Sequence, residues 1–341
     1  MTYDELLENA KKNIGPYCKA CQVCNGIACK NTIPGPGSKG TGDNAIRNYK
    51  AWQNYRIISD PLTSVKNADT SFDFFGYKLS SPIMIGPVGA VKSHYGQLYD
   101  DLEYNEIMLN GAFEAGIIGF CGDGKNHEVL KSAAKVIKNL KGRGVPTIKP
   151  WDKNTLFEKL DLVKKSNPYA IAMDIDAAGL PFLKNQNPPA GSKTLSELKE
   201  IISYAKTPFI VKGIMSLESA KKAYEAGASA IVVSNHGGRV LDSAPSTCTI
   251  LPLISKELKG KLKIYVDGGI RSGADIFKAL ALGADGVIIA RPYVVSIYGA
   301  QKEGIKLLTN KLNEELKDIM LMCGCKSLKD INETKIIKEL L

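Results

Sequence analysis

The chain has 341 residues, 44% of them hydrophobic and 23% charged, which excludes collagen-like, low-complexity and disordered classes. The formal charge is +10 and the pI about 9.0. The basic residues are mostly Lys and lie among Glu and Asp, as across residues 153–165 and 256–263. That dispersal argues against nucleic acid and for a solvated surface with a site for small anions. The longest apolar runs, such as 208–211 and 230–233, are strand-sized, far below the ~20 residues of a spanning helix. Residues 1–12 carry no apolar signal segment, so a cytoplasmic protein without a membrane partner is expected. Its eight cysteines are then expected in reducing surroundings, where metal binding, redox work or burial is favoured over disulfides.

In chain order, residues 1–12 have helical spacing through Leu6, Leu7 and Ala10. A Cys/Gly/Pro-rich stretch follows over 15–42, then a predicted helix over 43–55. From about residue 80 short apolar runs alternate with amphipathic segments. The predicted strands are 82–86, 117–120, 145–149, 170–175, 209–212, 230–234, 263–266 and 286–290. Predicted helices between them include 126–139, 153–165, 195–205, 217–226 and 274–282. Eight strand–helix units predict a single α/β domain, a closed (β/α)8 TIM barrel, in preference to an open doubly wound sheet. The expected division is a helical, Cys-rich extension over 1–79 and a barrel over 80–341, with helices packing outside from residue 304 onward.

In such a barrel chemistry belongs where the strands end. After the seventh predicted strand comes Asp267-Gly268-Gly269-Ile270-Arg271, and after the eighth Ala290-Arg291-Pro292. Glycines free backbone N–H groups for a phosphate, and the two arginines add charge-assisted hydrogen bonds, so a phosphate cradle is expected rather than a plain turn. After the sixth strand comes Ser234-Asn235-His236-Gly237-Gly238-Arg239. His236, one of three histidines, stands where a proton-transfer group belongs, and Arg239 offers a fork for a carboxylate. Lys212 ends the fifth strand. A buried ammonium needs an anion there, either an electron-rich ligand, a Schiff-base partner or a barrel carboxylate such as Asp267 or Asp176.

Taken together, Lys212-Gly213-Ile214, the segment Ser234–Arg239 with Leu241-Asp242, and Asp267–Arg271 resemble the FMN-dependent α-hydroxy-acid dehydrogenase/oxidase family. The order and spacing agree through residues 277–292, and the resemblance covers about 44–330. It implies an enzyme oxidising a small-molecule 2-hydroxy acid to a 2-oxo acid with FMN, passing electrons to an acceptor that the residues do not specify. Pro87, Val88 and Gly89 are implied near the flavin's reactive nitrogen, Cys121 where the family has a Ser facing the ring, and Lys212 as the charge that stabilises the reduced ring. Ser234 is implied to bond the cofactor. Asp267, Gly268, Gly269, Arg271, Ala290 and Arg291 are implied at its ribityl phosphate. His236 is the implied base, Asp176 the carboxylate that orients it, and Arg239 the substrate's carboxylate partner. A homo-oligomer, by resemblance a tetramer, is also implied.

Departures fall on the substrate side. The family's active-site Tyr falls at about Pro150, its flavin-contacting Gln at about Ile148, and its second substrate Arg near Leu183. The N-terminal carboxylate-binding Tyr is not evident. Asp174 replaces a neutral residue. A different, larger or cationic substrate is therefore expected, with Lys149, Asp174 and Trp151 helping to define it. The alternatives are another FMN barrel enzyme, such as a type 2 isopentenyl diphosphate isomerase that shares the Asp-Gly-Gly-Ile-Arg element, or a catalytically retired flavin- or metal-binding barrel.

Cys18, Cys21, Cys24 and Cys29 form C-x2-C-x2-C-x4-C, close to a ferredoxin-type run and foreign to the family. Four thiols on a Gly-rich loop could hold an iron–sulfur cluster or zinc, or could be a reduced, packed loop. Cys248, Cys323 and Cys325 are expected to be packing residues.

Overall fold

The computed structural model describes residues 1–180, 183, 187 and 189–339. Eight parallel strands close into a barrel: β4 (Ile83–Ile85), β5 (Ile118–Cys121), β6 (Val145–Ile148), β7 (Ile171–Asp174), β8 (Phe209–Ile214), β9 (Ala230–Val233), β10 (Lys263–Val266) and β11 (Gly286–Ile289). Each is hydrogen-bonded to its sequence neighbour, and β11 pairs with β4 to close the ring. These strands are apolar on both faces because one face fills the barrel and the other receives helices. Met84, Phe120, Ala172, Ile210, Val232 and Ile288 fill the interior. The larger core lies between strands and helices.

Upstream of β4, three strands and two helices have separate tasks. Helix α1 (Tyr3–Asn13) opens on a capping box from Thr2 and Glu5 and buries Leu6, Leu7 and Ala10. Helix α2 (Asp43–Trp52) is the helix foreseen over 43–55, but it stops at Trp52. The chain then forms β1 (Tyr55–Ile57), which pairs antiparallel with the C-terminal strand β12 (Ile336–Lys338). A hairpin of β2 (Phe72–Phe74) and β3 (Tyr77–Leu79) inserts Phe72 and Phe74 against Tyr265 at the N-terminal end of the barrel.

On the way round the barrel come α3 (Val91–Tyr95), α4 (Asp101–Glu114), α5 (His127–Asn139), α6 (Lys153–Lys164), α7 (Leu195–Ala205), α8 (Leu217–Glu225), α9 (Thr247–Leu258) and α10 (Gly273–Ala281). The last, α11 (Arg291–Met322), is two helices joined at Ala300 and Gln301, whose backbone leaves the helical region. The expectation of helices throughout 304–341 fails beyond Met322, where short 3-10 turns lead into β12. Leu340 and Leu341 lie outside the described residues. No helix among the described residues is long and apolar enough to cross a membrane.

Candidate active site

At the C-terminal ends of the barrel strands lies a cavity of about 660 Å³, within the ~300–1,000 Å³ usual for small-molecule and cofactor sites. Its wall brings together Pro87, Val88 and Gly89 after β4, Lys149 after β6, Asp174 on β7, Lys212 on β8, His236 and Arg239 after β9, Asp267–Gly269 and Arg271 after β10, and Ala290 and Arg291 after β11. Asp176 stands one shell back, on His236.

The His-Gly-Gly run makes a strained turn. His236, Gly237 and Gly238 take φ of 55°, 61° and 82°, a left-handed path uncommon for any residue but glycine, though less so for His than for most. The amide of His236 is held by Ser234 Oγ at 3.1 Å. A Cβ at Gly237 would lie 2.6 Å from Arg291 Nη2, so this glycine lets Arg291 cross the turn and donate to the Gly237 carbonyl at 3.0 Å. The turn aims His236 so that its Nδ1 lies 3.0 Å from Asp176 Oδ1 and 3.9 Å from Asp174 Oδ1. An Nδ1–H donated to Asp176 leaves Nε2 with the lone pair, the form a base needs.

Beneath His236 lies a charge network. Lys212 Nζ is 2.8 Å from Asp174 Oδ1 and 3.7 Å from Asp267 Oδ2. Lys149 Nζ is 4.0 Å from the other oxygen of Asp174. Burial alone would drive the Lys212 ammonium down, but Asp174, Asp267 and Asp176 outweigh it and hold it up. Burial likewise opposes the charge on Asp174, yet Lys212, His236 and Lys149 keep its carboxyl well below the usual range. Asp267 goes the other way, raised by burial against the pull of Lys212 and Ser234. Asp176 Oδ2 and Asp267 Oδ1 are buried without a hydrogen-bond partner, the pattern of a site completed by a ligand.

The loop after β10 is shaped for an anion. The Asp267 carbonyl accepts from Thr247 Oγ1 at 2.6 Å and the Gly268 carbonyl from Trp52 Nε1 at 2.8 Å. In a trans peptide the carbonyl and the following N–H point opposite ways. Turning these carbonyls outward therefore turns the amides of Gly268 and Gly269 toward the cavity they line. Gly269, at φ 83°, also admits helix α2, since a Cβ there would lie 2.3 Å from the Asn48 carbonyl. Arg271 and the helix start at Arg291 complete a positive rim. Cavity size, inward amides, two arginines and orphaned carboxylate oxygens fit a phosphorylated flavin.

Several expected residues stand elsewhere. Trp151 is fully buried and does not line the cavity; its Nε1 donates to Asp123 Oδ2 at 2.7 Å, beside the Lys159–Asp123 ion pair. It cannot touch a substrate from there. Cys121 is fully buried in β5 and pushed up to about 12 by burial; its neighbour Gly122 lines the wall instead. Ser234 also lies behind the wall, donating to Asp267 Oδ2 at 2.8 Å and so positioning that carboxylate. At the end of β6 Lys149 does line the cavity, as expected, whereas Ile148 and Pro150, where the family's Gln and Tyr fall, do not. The four N-terminal thiols are half-buried and free. No three of these sulfurs gather within 4.8 Å; among the described residues the group that does gather is Asp174, Asp176 and His236.

Sequence reasoning passed over His94. It sits on α3, lines the cavity, accepts from the Gly35 amide through Nδ1 at 2.9 Å, and lies 3.2 Å from Arg239 Nη2 through Nε2. Burial, then Arg239 and Lys149, pull it down to about 4. Arg239 is anchored on the carbonyls of Gly35 at 2.5 Å and Gly37 at 3.5 Å, and burial pulls it down to about 10. The available signal for His94 was its place in the loop after the first barrel strand.

A closed parallel barrel with a phosphate-binding rim and a His–Asp pair facing one cavity defines a cofactor-dependent barrel enzyme. The chain belongs to the FMN-dependent dehydrogenase family, whose model matches residues 36–186 and 182–338. It is 31% identical over 323 residues to L-lactate oxidase of Lactobacillus jensenii, an alignment covering 85% of this chain and 76% of that protein. It is 29% identical over 323 residues to glycolate oxidase of Spinacia oleracea, covering 82% and 84%. Among solved structures, a mandelate oxidase variant with a monooxide FMN adduct superposes with a TM-score of 0.75 at 27% identity, covering 89% of this chain and 94% of that one. The protein is thus an FMN-dependent oxidoreductase.

Proposed function

We propose that the protein oxidises a 2-hydroxy acid to the 2-oxo acid. The observation that carries this reading is the His236–Asp176 pair at 3.0 Å on the wall of the cavity that Arg239 also lines. When bound, FMN supplies the two-electron acceptor. The amides of Gly268 and Gly269 with Arg271 and Arg291 would hold its phosphate, and Pro87–Gly89 would face the ring. Arg239 binds the substrate carboxylate with the guanidinium donors that Gly35, Gly37 and His94 leave over. His236 Nε2 takes the proton that leaves the substrate, and Asp176 stabilises the resulting imidazolium. Lys212, held charged by three carboxylates, keeps a positive charge at the floor where negative charge accumulates.

The substrate side is distinct. Lys149 and Asp174 place a lysine and a carboxylate, 4.0 Å apart, on the wall of the cavity that Arg239 also lines. This supports a 2-hydroxy acid whose side chain carries a polar or charged group able to exchange with that pair. An anaerobic screen of 2-hydroxy acids with neutral, acidic and basic side chains, read by bleaching of the bound flavin, tests the reading. Fastest bleaching by a polar-substituted acid is expected. Fastest bleaching by lactate or glycolate removes the altered pocket, and no bleaching by any of them removes the reaction.

A further inference from the structure

The mechanism leaves Cys18, Cys21, Cys24 and Cys29 unused. Their loop, residues 15–42, has no helix or strand, a length of irregular chain that compact domains seldom keep without a task. The hydrophobic core takes from the loop's cysteine-bearing part only Ala20, with Cys18 packed alongside. Tyr17, Val23 and Ile27 are exposed, while Cys18, Cys21, Cys24 and Cys29 are half-buried. Hydrophobic ordering would turn the aliphatic side chains inward first. The chain instead bends between successive cysteines, at Ala20 (φ 44°) and at Gly26 (φ 87°). Ala20 is a non-glycine residue in the left-handed region, a strain that persists only where the surroundings impose it.

The four sulfurs are not drawn into the tight tetrahedron of a zinc site. A tetrahedral zinc ion with ~2.3 Å bonds holds its sulfurs ~3.8 Å apart, whereas no three of these sulfurs fall within 4.8 Å of one another. A cubane cluster carries its thiolates at its four outer corners and therefore needs them more widely separated.

The loop is also joined to the active site. Arg271, on the phosphate rim, donates through Nε to the Cys24 carbonyl at 2.6 Å. Pro34 lines the cavity, and Gly35 anchors Arg239.

We propose that Cys18, Cys21, Cys24 and Cys29 hold a 4Fe–4S cluster beside the phosphate rim of the cavity, and that this cluster is the outlet for the electrons the flavin collects. Each 2-hydroxy acid oxidised releases two electrons and two protons as its carbinol C–H and O–H become a carbonyl. The protons go to solvent. The electrons pass singly through the cluster, which alternates between one oxidised and one reduced level, to a soluble one-electron carrier protein, two carriers being reduced per turnover. The outlet role rests on the proposed hydroxy-acid reaction; the cluster itself does not.

Holoenzyme purified without oxygen should contain about four iron and four acid-labile sulfide per chain. Dithionite should produce the electron paramagnetic resonance signal of a reduced cluster. Cys21→Ser and Cys24→Ser should each lose most of the iron and keep FMN at wild-type stoichiometry, a readout that separates loss of the cluster from failure to fold. Protein free of iron and sulfide, or carrying one zinc, overturns the cluster. The two levels of the proposal part on adding substrate without oxygen. A dithionite-reducible cluster in protein whose flavin no 2-hydroxy acid bleaches overturns the reaction and leaves the cluster standing. Bleached flavin with a cluster that stays oxidised overturns the outlet.

Discussion

Two buried ionic clusters share this barrel, and they are built to different standards. In the first, Lys159 Nζ lies 2.7 Å from Asp123 Oδ1 and 3.1 Å from the Gly124 carbonyl, over the ring of Trp151. The second oxygen of Asp123 accepts from Trp151 Nε1 and the Lys149 amide. Both carboxylate oxygens are matched and both side chains are sealed from solvent. In the second cluster Lys212 faces Asp174 and Asp267 while Asp176 faces His236, yet one oxygen of Asp176 and one of Asp267 have no partner. A closed pair fixes structure. An open network on a cavity wall keeps capacity for a ligand and a travelling proton, and this difference separates Lys159 from Lys212 although both are buried lysines at the barrel mouth.

The largest effect that can break this contrast belongs to the open network. His236→Gln is expected to slow flavin reduction by about 10²–10⁴-fold, the range for loss of a general base, with FMN content unchanged; stopped-flow reduction without oxygen reads it. An unslowed variant would put the proton elsewhere. In the closed pair the effect should fall on stability. Lys159→Met strands a buried carboxylate and is expected to cost about 3–5 kcal/mol, measured by urea unfolding. A loss under ~1 kcal/mol would mean that the pair is not a closed structural unit.

His94 sharpens the comparison through pH. Its folded pKa, about 4, lies below the ordinary histidine value of 6.5. Between those values the unfolded chain binds a proton that the folded chain refuses, so stability falls as pH drops from about 6.5 toward 4 and is unaffected by this group above 6.5. At ~1.4 kcal/mol per unit the loss approaches ~3 kcal/mol. Urea unfolding at pH 7.5 and 4.5 should show a larger drop for the wild type than for His94→Asn. Equal drops would clear His94. The smallest effect concerns the anchored fork: Arg239→Lys keeps charge but loses bidentate geometry, and KM for the hydroxy acid should rise about tenfold with one charged hydrogen bond lost. A change confined to kcat would place Arg239 at the chemistry rather than at the carboxylate.

Much of this was legible in the sequence. The period of the strands gives the barrel, and a barrel confines chemistry to strand ends, so Lys212, His236, Arg239, Asp267 and Arg291 could be named from their positions alone. What stayed hidden depends on distant contacts. Two positions separate Lys149, which was placed correctly on the cavity, from Trp151, which was not. Trp151 looked like a substrate contact until its indole proved to belong to Asp123. The link from Gly35 to Arg239 spans 204 positions, and the pairing of Arg56 with Ile337 that ties the two ends of the chain spans more. No local pattern encodes either contact. Ser234 was found by motif but acts through Asp267, a distinction only geometry makes.

The central claim is that the open network around His236 performs proton transfer for flavin reduction by a 2-hydroxy acid. The direct test is anaerobic bleaching of the bound flavin by a panel of 2-hydroxy acids, run in parallel on wild type and His236→Gln. Rapid bleaching of the wild type by at least one acid is expected, with a slowing of about a hundredfold or more in the variant. Equal rates in the two proteins would contradict it.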